Sequence, residues 1–112
     1  DPKNAYVRYQ IGEIYLDRGD LARAEPEFDA ALSIDPKLAS AKVATGVIAY
    51  ERKQFAQAEA LLREALTLKS DVRLAHFNLA LLAEARGDDA AAEAAYRAEL
   101  TAHPTAYKAA FN

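Results

Sequence analysis

The stretch "ARAEPEF" at residues 22–28 returns as "AQAEALL" at 56–62 and "AAAEAAY" at 90–96, so Ala24-Glu25, Ala58-Glu59 and Ala92-Glu93 recur at a step of 34 residues. A fixed period of this length marks an array of stacked supersecondary units and decides the fold. Working outward, the chain divides into copies at 5–38, 39–72 and 73–106. Each copy carries two stretches of helical periodicity, at about 5–18 and 21–34, 39–52 and 55–68, and 73–86 and 89–102. The breaks read "RGD" at 18–20, "RKQ" at 52–54 and "RGD" at 86–88. Gly19 and Gly87 suit the left-handed residue that closes a helix, and Asp20 and Asp88 suit the cap of the next. Lys53 stands where the other breaks have glycine, which predicts a strained or differently closed turn. Pro26 falls inside a second stretch, on a slot held by Ala60 and Ala94 in the other copies, and is expected to face outward from a continuous or slightly bent helix.

Composition agrees with helices throughout. Of 112 residues 52% are hydrophobic, and 27 are alanine against four glycines and four prolines, which favours a close-packed all-α chain. The absence of cysteine removes disulfides, thiolate metal sites and cysteine nucleophiles. Fourteen basic and seventeen acidic residues give a net charge of −3, which argues against a nucleic-acid surface. No apolar run reaches membrane-spanning length, and no signal peptide opens the sequence. The opening "DPKNAYVRY" reads as cut from something longer, since "DP" at 1–2 matches "DP" at 35–36 and "HP" at 103–104. The composition suggests a bacterial source, with cytoplasm and periplasm both open.

The copies resemble tetratricopeptide repeats. Gly12, Tyr15, Ala24, Phe28, Ala31 and Pro36 occupy the family's signature slots in the first copy. Gly46, Ala58, Leu62 and Ala65 do so in the second, and Leu79, Ala80, Ala92, Tyr96 and Pro104 in the third. Arg8, Lys42 and His76 depart from a common tryptophan, Ser70 from the inter-repeat proline and Glu99 from a small residue, changes expected to loosen individual helix pairs while keeping the register. The resemblance implies a right-handed α-solenoid of three helix–turn–helix repeats forming a single domain over 1–112, with residues 107–112 opening a fourth copy or capping helix. Gly12, Gly46 and Ala80 are expected to lie against Ala24, Ala58 and Ala92, with large residues, Tyr96 among them, filling the core. Tyr107 and Phe111 are expected to cap the third repeat or to pack against another molecule.

In such a family function lies on the inner face lined by the first helix of every repeat. The resemblance places Tyr6, Tyr9, Gln10, Glu13, Leu16 and Asp17 there, with Ser40, Val43, Ala44, Val47, Tyr50 and Glu51 from the second copy. Leu74, Phe77, Asn78, Leu81, Glu84 and Ala85 follow from the third. The implied function is a protein-interaction module whose groove binds an apolar peptide or helix, with Glu13, Asp17, Glu51 and Glu84 selecting a basic partner. A plainer reading has longer arrays or neighbouring copies cover the same face. The alternative, from another class, is a regulatory or self-association arm of a larger bacterial enzyme such as a sulfatase-like hydrolase. A carboxylate clamp of the kind some relatives use on chaperone tails is excluded, because its slots hold Tyr9, Glu13, Ala44, Leu74 and Asn78.

The remaining features point away from chemistry within this stretch. Arg18, Arg52 and Arg86 form a ladder at the repeat step, read as cations offsetting the C-terminal charge of the first helices. His76 and His103 are far apart in register and lack partners at metal or triad spacing, and His103 is expected to serve the end of its helix. There is no glycine-rich phosphate loop. The expectation is therefore no catalysis, no cofactor, no metal and a protein or peptide partner.

Overall fold

A computed structural model describes residues 2–104. Six helices follow one another: α1 (Pro2–Asp17), α2 (Leu21–Ile34), α3 (Ala39–Glu51), α4 (Phe55–Leu68), α5 (Ala75–Ala85) and α6 (Asp89–Ala102). Among the described residues there is no strand. The chain is an all-α helical-repeat solenoid. The expected capping or association residues Tyr107 and Phe111 lie outside the described residues.

Each turn within a pair is closed by a left-handed residue: Gly19 at φ 75°, Lys53 at φ 62° and Gly87 at φ 76°. The residue after it returns its N–H to the last turn of the preceding helix, Asp20 to the Tyr15 carbonyl at 2.9 Å, Gln54 to Ala49 at 2.8 Å and Asp88 to Ala83 at 2.9 Å. These bonds satisfy carbonyls that the helix ends would otherwise strand. Asp20 and Asp88 then cap α2 and α6 by accepting the N–H groups of Arg23 and Ala91, each at 3.1 Å. Gln54 makes no such side-chain bond, so the middle turn has both a strained closing residue and an uncapped helix.

Pro26 sits inside α2 without ending it. It is exposed, and the carbonyl it leaves without an amide partner belongs to exposed Ala22, where water reaches it. The prolyl ring therefore varies the outer surface of a continuous helix.

Packing repeats with the sequence. α1 lies on α2, α3 on α4 and α5 on α6, while α2 meets α3 and α4 meets α5 across the repeat junctions. First helices touch one another, α1 with α3 and α3 with α5, whereas α2, α4 and α6 do not touch. The array therefore curves with first helices on the inside. Ala24, Phe28, Ala31, Ala58, Leu62 and Ala65 are fully buried. The tightest approach is between a first-helix glycine and the large residue of the second helix: a Cβ on Gly12 would lie 2.6 Å from Phe28 Cε1, and one on Gly46 3.1 Å from Leu62 Cγ, with the expected Ala58 also in contact through its carbonyl at 3.5 Å.

Two helix starts differ from expectation. α1 begins at Pro2 instead of residue 5. α5 begins at Ala75 instead of residue 73, because Leu74 takes a left-handed conformation at φ 70° and cannot join the helix. The expected loosening around Ser70 and Glu99 is replaced by a set of ties. The buried Glu99 carboxylate accepts the N–H of Leu74 at 3.0 Å and of Phe77 at 3.3 Å, and His103 Nε2 donates to the Asp71 carbonyl at 2.8 Å. Helix α6 thus fixes the irregular entry into α5.

Candidate functional site

The inner layer is set by helical spacing, since residues three and four apart on α1, α3 and α5 share one side. At the first junction, Tyr9 of α1 is half-buried, with its ring 5.9 Å from that of Phe28 and 5.9 Å from that of Tyr6. Glu13 on the same helix and Ser40 of α3 stand near its hydroxyl. Burial, and then the Glu13 carboxylate, push the Tyr9 phenol well above the usual tyrosine range. Further along, Leu16, Asp17 and Leu21 face Val47 and Glu51 across a depression of about 360 Å³. Four expected inner-face positions, Leu16, Asp17, Val47 and Glu51, thus meet around one concavity with apolar walls and two carboxylates.

The second and third repeats each carry an aromatic pair between their own two helices. Tyr50 packs on Phe55 at 5.6 Å between ring centres, and Phe77 meets Tyr96 edge-on at 5.7 Å. The Tyr96 hydroxyl donates to Glu84. That bond first, and burial second, push the Tyr96 phenol up to about 12, with smaller contributions from the charges of Glu84 and Tyr50.

The structure does not expose every expected lining residue. Val43 is in the interior, packed with Ala39, Leu62 and Leu79, so the open apolar face is smaller than the sequence implies. Asn78 is also buried, and its amide donates to the Leu74 carbonyl at 2.8 Å, a structural tie at the start of α5. Tyr6, Glu51 and Leu74 are exposed, and Glu13, Val47, Tyr50, Phe77 and Leu81 are half-buried. Two aromatic residues of the second helices, Phe55 and Tyr96, were missed as neighbours of this face. For Tyr96 a signal existed: its repeat has Ala80 where the others have Gly12 and Gly46, and a methyl group there denies a large ring the interior slot that Phe28 occupies.

Arg52 and Arg86 of the arginine ladder stand at the C-caps of α3 and α5, as the helix-end reading expects, and they also reach the preceding repeat. Arg52 pairs with Glu25 and Arg86 with Glu59, both at 2.8 Å, so each of these arginines clasps the second helix of the preceding repeat. The recurring glutamate of the Ala-Glu pairs is the other half of this clasp.

No cluster of three or more His, Cys, Asp or Glu residues suited to a metal ion occurs among the described residues. No helix among them is long and apolar enough to cross a membrane.

A family model for the tetratricopeptide repeat matches residues 1–39, 9–72 and 43–107. The chain belongs to the tetratricopeptide repeat family. Repeats of this family are generally protein–protein interaction modules. Among curated proteins none matches this tetratricopeptide chain.

Proposed function

We propose that the face lined by α1, α3 and α5 is a groove for an apolar protein segment that also carries lysine or arginine. The observation that carries this reading is the alternation along one concave face of half-buried apolar and aromatic groups with carboxylates. Leu16 and Val47 stand beside Asp17 and Glu51, and Tyr50, Phe77 and Tyr96 beside Glu84. The apolar groups favour burial of a partner's side chains, each well-buried anchor contributing roughly 1.5–3 kcal/mol before ordering costs. The carboxylates select charge and speed encounter. Tyr6, Tyr9, Glu13, Leu74 and Leu81 extend the same lining, while Val43 and Asn78 support it from within.

The test uses a fluorescent amphipathic peptide of alternating Leu and Lys residues, followed by anisotropy against the whole chain. Tyr50→Ala/Phe77→Ala is expected to weaken binding by at least about tenfold. Asp17→Asn/Glu51→Gln is expected to weaken it and to flatten its salt dependence. Equal binding by wild type and the aromatic double variant would place the partner elsewhere.

A further inference from the structure

The outer side of the array carries a cleft at each internal junction. Helices α2, α4 and α6 do not touch, so α3 floors a gap between α2 and α4, and α5 floors one between α4 and α6. The first cleft stays open although α5 and α6 follow it, so a succeeding repeat does not fill this position.

The two clefts differ at matched slots. In the first, Gln57 and Leu61 of α4 narrow the space to about 160 Å³, and Glu64 is held by Lys42 at 2.9 Å. In the second, the same register positions are Ala91, Ala95 and Ala98, and the space widens to about 270 Å³. His76 takes the Lys42 slot and lines the second cleft half-buried, with alanine where the lysine has its glutamate.

Charge reverses as well. Glu25 and Asp29 line the first cleft beside one guanidinium, that of Arg52, 2.8 Å from Glu25. Arg63 stands in the Asp29 slot of the second. There two guanidiniums, those of Arg63 and Arg86, share the one carboxylate of Glu59 at 3.0 and 2.8 Å, and both arginine side chains remain more than half exposed.

We infer that the cleft between α4 and α6 docks an acidic amphipathic helix of a partner protein. The alanines at 91, 95 and 98 form one helical stripe, and their small side chains let a second helix come close. At about 270 Å³ the space falls short of the roughly 300–1,000 Å³ that encloses a free small molecule, and it suits apolar side chains presented by a protein segment. The partner's carboxylates then meet Arg63, Arg86 and His76. This surface and the inner face lie on different sides of α5 and favour partners of opposite charge, and neither reading depends on the other.

A fluorescent helical peptide with Leu at i, i+3, i+4 and i+7 and Glu elsewhere, followed by anisotropy against the whole chain, tests this. Binding is expected, and is expected to weaken with salt. Ala95→Leu, which copies Leu61 and fills the cleft, is expected to weaken it at least about tenfold. Arg63→Asp, which copies Asp29, is expected to weaken it about tenfold and to flatten its salt dependence. Both variants reproduce residues with which the first junction already folds, so circular dichroism is expected to be unchanged. Ala95→Leu should bind the Leu and Lys peptide as wild type does, and Tyr50→Ala/Phe77→Ala should retain the acidic one, which separates this surface from the inner face. No binding up to about millimolar protein, equal binding by Ala95→Leu, or loss of the acidic peptide in the aromatic double variant would each overturn the proposal. So would a mass that rises with concentration and is returned to monomer by Ala95→Leu, since the occupant would then be a second copy of this chain.

Discussion

The carboxylate of Glu99 on α6 accepts the backbone N–H of Leu74 at 3.0 Å, just ahead of α5 and 25 residues upstream in the chain. Leu74 is left-handed, a conformation costing a non-glycine residue roughly 1–2 kcal/mol, and Glu99 is only 2% exposed. Each feature is costly alone, and together they satisfy a helix start and a buried charge.

Glu99→Ala is therefore expected to destabilise the fold by about 1–3 kcal/mol, the cost of taking a buried carboxylate away from the two backbone amides it accepts. Urea unfolding gives the magnitude. Hydrogen exchange locates it, with the amides of Leu74 and Phe77 losing protection well before those of α3. Unchanged protection at both amides would show that another group holds the start of α5.

Gly12 and Gly46 occupy the same slot but predict different outcomes. Alanine at either gains up to about 1 kcal/mol of helix propensity. At Gly12 the new methyl would lie 2.6 Å from the ring of Phe28, which is wholly buried and has nowhere to move. Gly12→Ala is expected to cost roughly 1–3 kcal/mol. At Gly46 the nearest atoms belong to Leu62 at 3.1 Å, and a shift of a few tenths of an ångström relieves them. Gly46→Ala is expected to stay within about 1 kcal/mol of neutral. Equal losses in thermal unfolding would count against this reading of the two contacts.

Local chemistry was the most legible part of the fold. Gly19, Gly87, Asp20 and Asp88 announced their turns because a left-handed closure and a side-chain cap need only neighbouring residues. The step of 34 residues ordered the helix pairs for the same reason, each copy repeating one local solution. Interactions between copies were harder to read. Arg52 and Arg86 suggested only helix-end charges because their partners, Glu25 and Glu59, lie 27 residues earlier and only the superhelix brings them near. Leu74 gave no sign of its conformation, since the cause is a glutamate on the last described helix. At the candidate site the slots named the right helices, but burial of Val43 depended on packing against the next repeat, and that of Asn78 on the irregular start of α5, while the position of Tyr96 was foreshadowed by Ala80 in its own repeat.

Lys53 closes its turn at φ 62° where the other two repeats use glycine. Lys53→Gly is expected to stabilise the chain by about 1 kcal/mol by removing the left-handed penalty. Gly19→Ala and Gly87→Ala are expected to lose about as much. A Cβ at either glycine meets no atom within 4 Å, so any loss reports backbone strain alone. Denaturation midpoints of the three variants should therefore move in opposite directions, and a destabilised Lys53→Gly would show that the lysine contributes something beyond its backbone.

Tyr96 provides a pH signature for the aromatic end of the face. Its phenol is pushed from 10.0 to about 12 by the hydrogen bond to Glu84 and then by burial. Because the folded value lies above the unfolded one, the stabilisation is fully present below about pH 10 and is lost as pH rises through about 12. Subtracting the tyrosinate absorbance of Tyr96→Phe from that of the wild type isolates this group, and its ionisation should appear near pH 12. Glu84→Ala is expected to bring it down towards 10.0, since it removes both the bond and the charge, whereas Glu84→Gln, whose amide still accepts the hydroxyl, is expected to lower it less. Wild type should also lose more stability than Tyr96→Phe across the same alkaline interval. A Tyr96 that titrates with the exposed tyrosines would separate it from Glu84 in solution and remove the acidic end of the proposed groove from the edge of its aromatic cluster.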